Sequence, residues 1–285
     1  MSAFKDLQTR FKTGSIVEQL IYINIGVFLL TMILSSFSGL YGSRSNIIFE
    51  WFSLSSSFDE FIFKPWTIIS YGFLHAGFLH ILFNCLWLYF FGRLFLDYFT
   101  PKQLLNFYLL GTFFGGVVYM LSYAYFPIFD GRVQPLVGAS AGVSAIIIGT
   151  ATYIPNYQVN LRFIGYVKVW HIAAFTLAMD LISLAGSNGG GHFAHLGGAL
   201  FGFLYVNQAS NKELNLFGWI TNLFKTKRKP LKTVHKSKKR KTTATPKHVK
   251  SDNQQKIDQI LDKISKSGYD TLTKEEKEFL FKQGK

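Results

Sequence analysis

Six apolar stretches, each long enough or nearly long enough to cross a lipid bilayer, limit what this chain can fold into. They are Val17–Phe37, Leu79–Tyr98, Leu104–Phe126, Ser140–Ile154, Phe163–Leu184 and Phe193–Val206. A spanning helix needs about 20 mostly apolar residues, because the bilayer core offers no water to satisfy stray backbone groups. The expected fold is therefore all-α: a polytopic membrane protein built as a six-transmembrane-helix bundle. The fourth and sixth stretches are short and rich in glycine, which predicts helices enclosed by the others. Composition agrees, since 49% hydrophobic and 17% aromatic residues against 16% charged is greasier than a soluble domain. The first fifteen residues are polar and mixed in charge. The apolar run behind them ends without a small-residue cleavage signature, so it is expected to be retained.

Between the first two stretches lies a long connection, Ser38–Trp66, with its own apolar patch IIFEWFSL. Trp51 and Trp66 suit the membrane–water interface, so this segment is expected in or on the membrane surface. The single cysteine, Cys85, excludes an intrachain disulfide framework and reads as a small packing residue. Lys and Arg are held back on the cytoplasmic side of short loops. Lys5, Arg10 and Lys12 precede the first span, Arg93 and Lys102 flank the second connection, and Arg162 and Lys168 the fourth. The alternate side carries only Arg44, Lys64 and Arg132. Both termini are thus expected in the cytoplasm, with the chain in the cell (inner) membrane.

The net charge of +14 sits mostly at the end: from Asn211 onward there are 20 Lys/Arg against 8 Asp/Glu. The run FKTKRKPLKTVHKSKKRKTTATPKHVK has no periodicity and reads as a disordered linker beside anionic lipid headgroups. A merely solvated, orienting tail fits it as well. Beyond it, Ser251 and Gln254 have capping-box spacing, and Ile257, Ile260, Leu261 and Ile264 share one helical face. Gly268 ends that helix; Thr273 and Glu276 repeat the capping-box spacing before Phe279 and Leu280. The chain thus divides into a membrane domain (1–210), a basic linker (211–250) and a small helical C-terminal domain (251–285). Such a short module is too small for a large core and is expected to dock on a partner or on the membrane domain.

Polar residues inside membrane helices are costly, so each is a functional hypothesis by default. Ser140 opens the fourth stretch within GASAG, Gly138 to Gly142. His80 and Asn84 lie one helical turn apart in HAGFLHILFNCLWLYFFG. His195 sits in GGGHFAHLGGALFGFLY, where Gly198 and Gly202 have the spacing that lets two helices approach backbone to backbone. A serine hydroxyl becomes a useful nucleophile when a neutral imidazole takes its proton. Packing through Gly198 and Gly202 against the fourth span would bring His195 to Ser140.

From Leu20 to Val206 the sequence resembles the rhomboid family of intramembrane serine proteases. The family's serine motif GxSG appears as GASA, with Ala141 in place of the last glycine. Its sixth-helix motif G-x-x-x-A-H-x-x-G-x-x-x-G is matched by Gly190, Ala194, His195, Gly198 and Gly202, and its second-helix histidine–asparagine pair by His80 and Asn84. Ser144 departs from the family, many active members of which carry an aromatic residue there that stacks on the histidine. The resemblance implies a Ser140–His195 dyad without a carboxylate, with His80, Asn84 and the backbone N–H of Ser140 stabilising the oxyanion. It implies membrane-protein substrates, cut near a small residue where a single-span helix unwinds easily. No cofactor, metal or nucleic-acid partner is expected. The rival reading is a catalytically inactive rhomboid-like protein that escorts membrane clients; such relatives lack the serine or the histidine, and both are present here.

Other chemistries fit less well. Gly138–Gly142 is literally G-x-S-x-G, and Ser140, Asp180 and His195 fall in α/β-hydrolase order. The intervals of about 40 and 15 residues leave no room for the βα units between those partners. A metal site on His75, His80, His192 and His195 lacks the H-E-x-x-H helix of membrane metalloproteases. Asp180 and Lys168 read as bundle or interface residues, and leave a transporter as the most distant reading. His75 and His192, near span ends, read as wet structural residues.

Overall fold

The computed structural model describes residues 2–42, 46–162, 164–210 and 252–283. The chain divides into two compact units, Met1–Thr226 and Lys227–Lys285. The run expected as a linker, 211–250, lies outside the described residues, as does Ser251 of the first C-terminal capping box.

The first unit is a helical bundle. An amphipathic helix, α1 (Ser2–Thr13), which sequence reading leaves unassigned, precedes α2 (Ile16–Leu40). Ser15 and Glu18 start α2 with a reciprocal capping box, satisfying two donors that a helix end leaves bare. Only five of its 25 residues are buried, and Leu29, Leu30 and Ile33 are each more than half exposed. So long an apolar surface is stable only against lipid. α6 (Phe78–Leu96) and α7 (Pro101–Tyr125) follow, the latter capped by Thr100 and Gln103 with Pro101 at its first turn. These three helices are long and apolar enough to cross a membrane.

Two shorter apolar helices, α8 (Ser140–Tyr153) and α9 (Val169–Ile182), and α10 (Gly189–Ser210) complete the bundle. α8 is buried on every face from Ala141 to Ala151 except at Ser144, as expected of a helix that is apolar all round. It is wrapped by α6, α7, α9 and α10. α9 begins later than the sequence predicts. Gly165–Lys168, read above as part of the fifth span, is instead a strand, β4, paired antiparallel with β3 (Gln158–Leu161) in the register Val159↔Val167. An apolar run of aromatic and β-branched residues serves a strand as well as a helix. Gly165, at φ +91, turns the chain back on itself before a helix can start.

The described part of the connection between α2 and α6 contains the short α-helices α3 (Ile47–Phe52), α4 (Phe58–Phe63) and α5 (Thr67–Ser70), a 3-10 turn at Tyr71–Phe73 and a strand, β1 (Leu54–Ser55). β1 pairs with β2 (Pro135–Leu136), just before α8. Trp51 and Trp66 stack at 6.3 Å, and the Trp66 indole donates to the Trp51 carbonyl at 2.8 Å. Ile62 and Phe63 point outward, giving the segment an apolar rim.

In the second unit, helices Asp252–Ser267 and Lys274–Gln283 flank a turn at Gly268, whose φ of +82 ends the first. Thr273 and Glu276 cap each other, with N–H to carboxylate at 2.8 Å. Lys263 bonds the same carboxylate at 2.9 Å; these partners hold Glu276 below the usual carboxylate range. Ile260 and Leu272 are buried, whereas Leu261, expected on the same face as Ile260, is half exposed. It lies one residue, and so about 100°, round the helix from Ile260.

Candidate active site

The segment ahead of α8 is held at several points. β1 pairs with Pro135 and Leu136, the Tyr119 hydroxyl donates to the Gln134 carbonyl at 2.6 Å, and the Gly138 N–H donates to the Tyr71 carbonyl at 3.0 Å. Gly138 has φ +132, a conformation that L side chains rarely adopt. A Cβ there would also lie 2.8 Å from Nε2 of His80. Glycine two residues before the serine therefore leaves room for the histidine of α6.

Ser140 is the first residue of α8, and the first helical bond runs from Val143 N–H to the Ala139 carbonyl. The N–H groups of Ser140, Ala141 and Gly142 thus have no acceptor within the helix, at its positive end. Ala141 is accommodated because α7 presents Gly115 beside its methyl group. Ser144, one turn further along α8, is half-buried.

α10 lies against α8 backbone to backbone. A Cβ on Gly198 would collide with the Ala141 carbonyl, and one on Gly202 with the Ala145 carbonyl. His195, three residues before Gly198, shares that face. Its Nε2 lies 2.7 Å from Oγ of Ser140. Its other nitrogen, Nδ1, lies 2.7 Å from Oδ1 of Asp180 on α9, and the same oxygen is 2.8 Å from Nδ1 of His192.

Asp180 is thus no generic bundle residue, and His192 is not simply a wet residue at a span end. The two are bonded to each other in the immediate surroundings of His195. Sequence spacing carries no signal for this pairing except the Ser–Asp–His order noted above. The strands and helices that would make an α/β-hydrolase of that order are absent among the described residues. The three donor atoms of Asp180, His192 and His195 lie within 4.8 Å of one another and are of the types that bind transition metals. They already satisfy one another, and the set differs from the four histidines weighed from sequence, since it includes Asp180 and neither His75 nor His80.

His80 and Asn84 face the serine from α6. The Asn84 amide is buried and donates one hydrogen to the His80 carbonyl at 2.9 Å. With Ser140 and His195 they line a cavity of about 600 Å³, whose walls also include Trp87, Leu136 and Asn188. His75, expected to be wet, is 1% exposed; neither ring nitrogen has a hydrogen-bond partner among the described residues, and its ring meets that of His80 edge-on at 5.1 Å. Burial, with His80 beside it, pushes its pKa down to about 3, so it is neutral.

Comparison with known proteins identifies the family. The rhomboid domain matches residues 63–211, more than half of the chain, and the chain belongs to the rhomboid family. It is an integral membrane protein. Residues 247–282 match a family of unknown function, DUF6576. The RHOMBOID-like protein 12, mitochondrial, of Arabidopsis thaliana is 31% identical over 144 residues, 47% of this chain and 43% of that protein. Presenilin-associated rhomboid-like protein A, mitochondrial, of Danio rerio is 28% identical over 137 residues, 47% of this chain and 35% of that one. The matches span less than half the length of these curated relatives.

Proposed function

We propose that this chain is an intramembrane serine protease that hydrolyses peptide bonds in or near transmembrane segments of membrane proteins. The observation that carries the reading is the 2.7 Å approach of His195 Nε2 to Ser140 Oγ at the edge of an open cavity. Ser140 attacks the scissile carbonyl while His195 takes its proton; the imidazolium returns that proton to the leaving amine, and an acyl-enzyme ester remains. Water then attacks the ester with His195 again as base, and Ser140 regains its hydrogen. The tetrahedral intermediates place negative charge at the N-terminus of α8. There the Ser140 N–H, His80 and Asn84 are the donors in reach, and preset donors are worth most in a site of low dielectric.

In this reading six helices cross the cell membrane: α2, α6, α7, α8, α9 and α10. Lys/Arg placement puts both termini in the cytoplasm and opens the Ser140 end of α8 to the other side. Residues 1–210 form the catalytic domain. Helices Asp252–Ser267 and Lys274–Gln283 belong to a separate C-terminal module. Substrates are single-span proteins that unwind near a small residue.

A fluorophosphonate probe tests the assignment on purified protein. Labelling of the wild type that disappears in Ser140→Ala is expected. A wild type that stays unlabelled while properly folded would instead favour a non-catalytic escort of membrane clients.

A further inference from the structure

We infer that Asp180 is a positioning residue of the catalytic apparatus, orienting and charging His195 from the side opposite Ser140, with His192 holding the carboxylate in place. The inference rests on the protease reading above and adds a third and a fourth residue to it.

Hydrogen-bond chemistry makes the arrangement directional. A neutral imidazole carries one N–H and one lone pair, and a carboxylate only accepts. With Oδ1 of Asp180 at 2.7 Å, Nδ1 of His195 must be the N–H. Nε2 is then the lone pair, and it is the nitrogen facing the Ser140 hydroxyl at 2.7 Å. The carboxylate thus selects the one tautomer in which His195 is a base toward Ser140. When the serine proton moves to Nε2, the Nδ1 proton stays where it is and the imidazolium faces an anion. Asp180 itself takes no proton.

The placement of Asp180 is costly without such a role. It is 8% exposed, near the C-terminal end of α9, where the helix dipole disfavours an anion. No lysine or arginine among the described residues pairs with it; its side-chain partners are the two imidazoles. His192 and His195 are three apart on α10, so both present Nδ1 to the same oxygen. Two N–H donors on one oxygen fix the carboxylate rotamer, and the helix supplies them without any loop.

The test uses the full-length protein in detergent, with a fluorophosphonate probe and a model single-span substrate. Asp180→Asn is expected to lower the labelling rate and kcat at neutral pH by about 100-fold or more, with KM within about 2-fold. Asp180→Glu, which keeps the charge, should recover at least about a tenth of the rate, and His192→Gln, which keeps a donor, should stay within about 10-fold of wild type. An Asp180→Asn enzyme with wild-type rate and KM, beside an inert Ser140→Ala, would overturn the inference and leave the protease reading intact. An unlabelled, inactive wild type would remove both. If Asp180→Asn does not fold, the ¹⁵N spectrum of histidine-labelled wild type decides: a protonated Nδ1 on His195 supports the inference, and a protonated Nε2 with bare Nδ1 overturns it.

Discussion

Nε2 of His195 lies 2.7 Å from Oγ of Ser140, although 55 residues separate the two in the chain. They act as a unit if the protease reading holds, so Ser140→Ala and His195→Ala should each abolish cleavage and the double variant should be no worse. Asn84→Ala removes one of several oxyanion donors and should lower kcat by about 10²–10³-fold, leaving measurable activity. Cleavage of a model transmembrane substrate by purified protein measures all four. Wild-type cleavage by Ser140→Ala would disprove the nucleophile assignment.

The approach of α10 to α8 has no room for a side chain at Gly198. Gly198→Val must push the two helices apart at the Ala141 carbonyl. We expect a loss of about 1–3 kcal/mol in stability from overpacking. Fluorophosphonate labelling should drop more steeply than the fraction folded, because His195 moves with the backbone. Parallel thermal and labelling assays check this; equal losses in both would mean that the helix spacing does not set the catalytic geometry.

His75 carries a pH dependence of stability. Its folded pKa, about 3, lies below the ordinary value of 6.5. Below pH 6.5 the unfolded chain therefore takes up a proton that the native state refuses, and stability falls as pH drops toward 3. The loss is about 2 kcal/mol near pH 5. Thermal midpoints at pH 7 and 5 should differ less in His75→Gln, which cannot titrate, than in wild type. Identical pH dependence in the two proteins would show that His75 is not the source.

Lys/Arg asymmetry predicts the side each loop faces. Reporters fused after Lys102 and after Lys285 should read cytoplasmic, and one after Arg132 should read external. A cytoplasmic signal after Arg132 would reverse the proposed opening of the site.

Local chemistry is legible in the chain itself. Apolar length announces α2, α6 and α7, because a bilayer demands it of any isolated segment. Thr273 with Glu276, and Gly268 before them, mark helix ends by groups only a few residues apart. Ser140, His195, His80 and Asn84 stand out because polar residues in apolar helices are costly wherever those helices go. What those residues touch is another matter. The pairing of Leu54 with Leu136, the enclosure of His75 and the shared grip of His192 and His195 on Asp180 depend on which helices become neighbours. The stretch before Val169 shows the same limit: its side chains suit strand or helix, and pairing of Gln158–Leu161 with Gly165–Lys168 decided for the strand. Periodicity and caps are properties of adjacent residues. Hydrogen bonds between α9 and α10 exist only after the bundle has closed, so only the tertiary structure could assign Asp180 its partner.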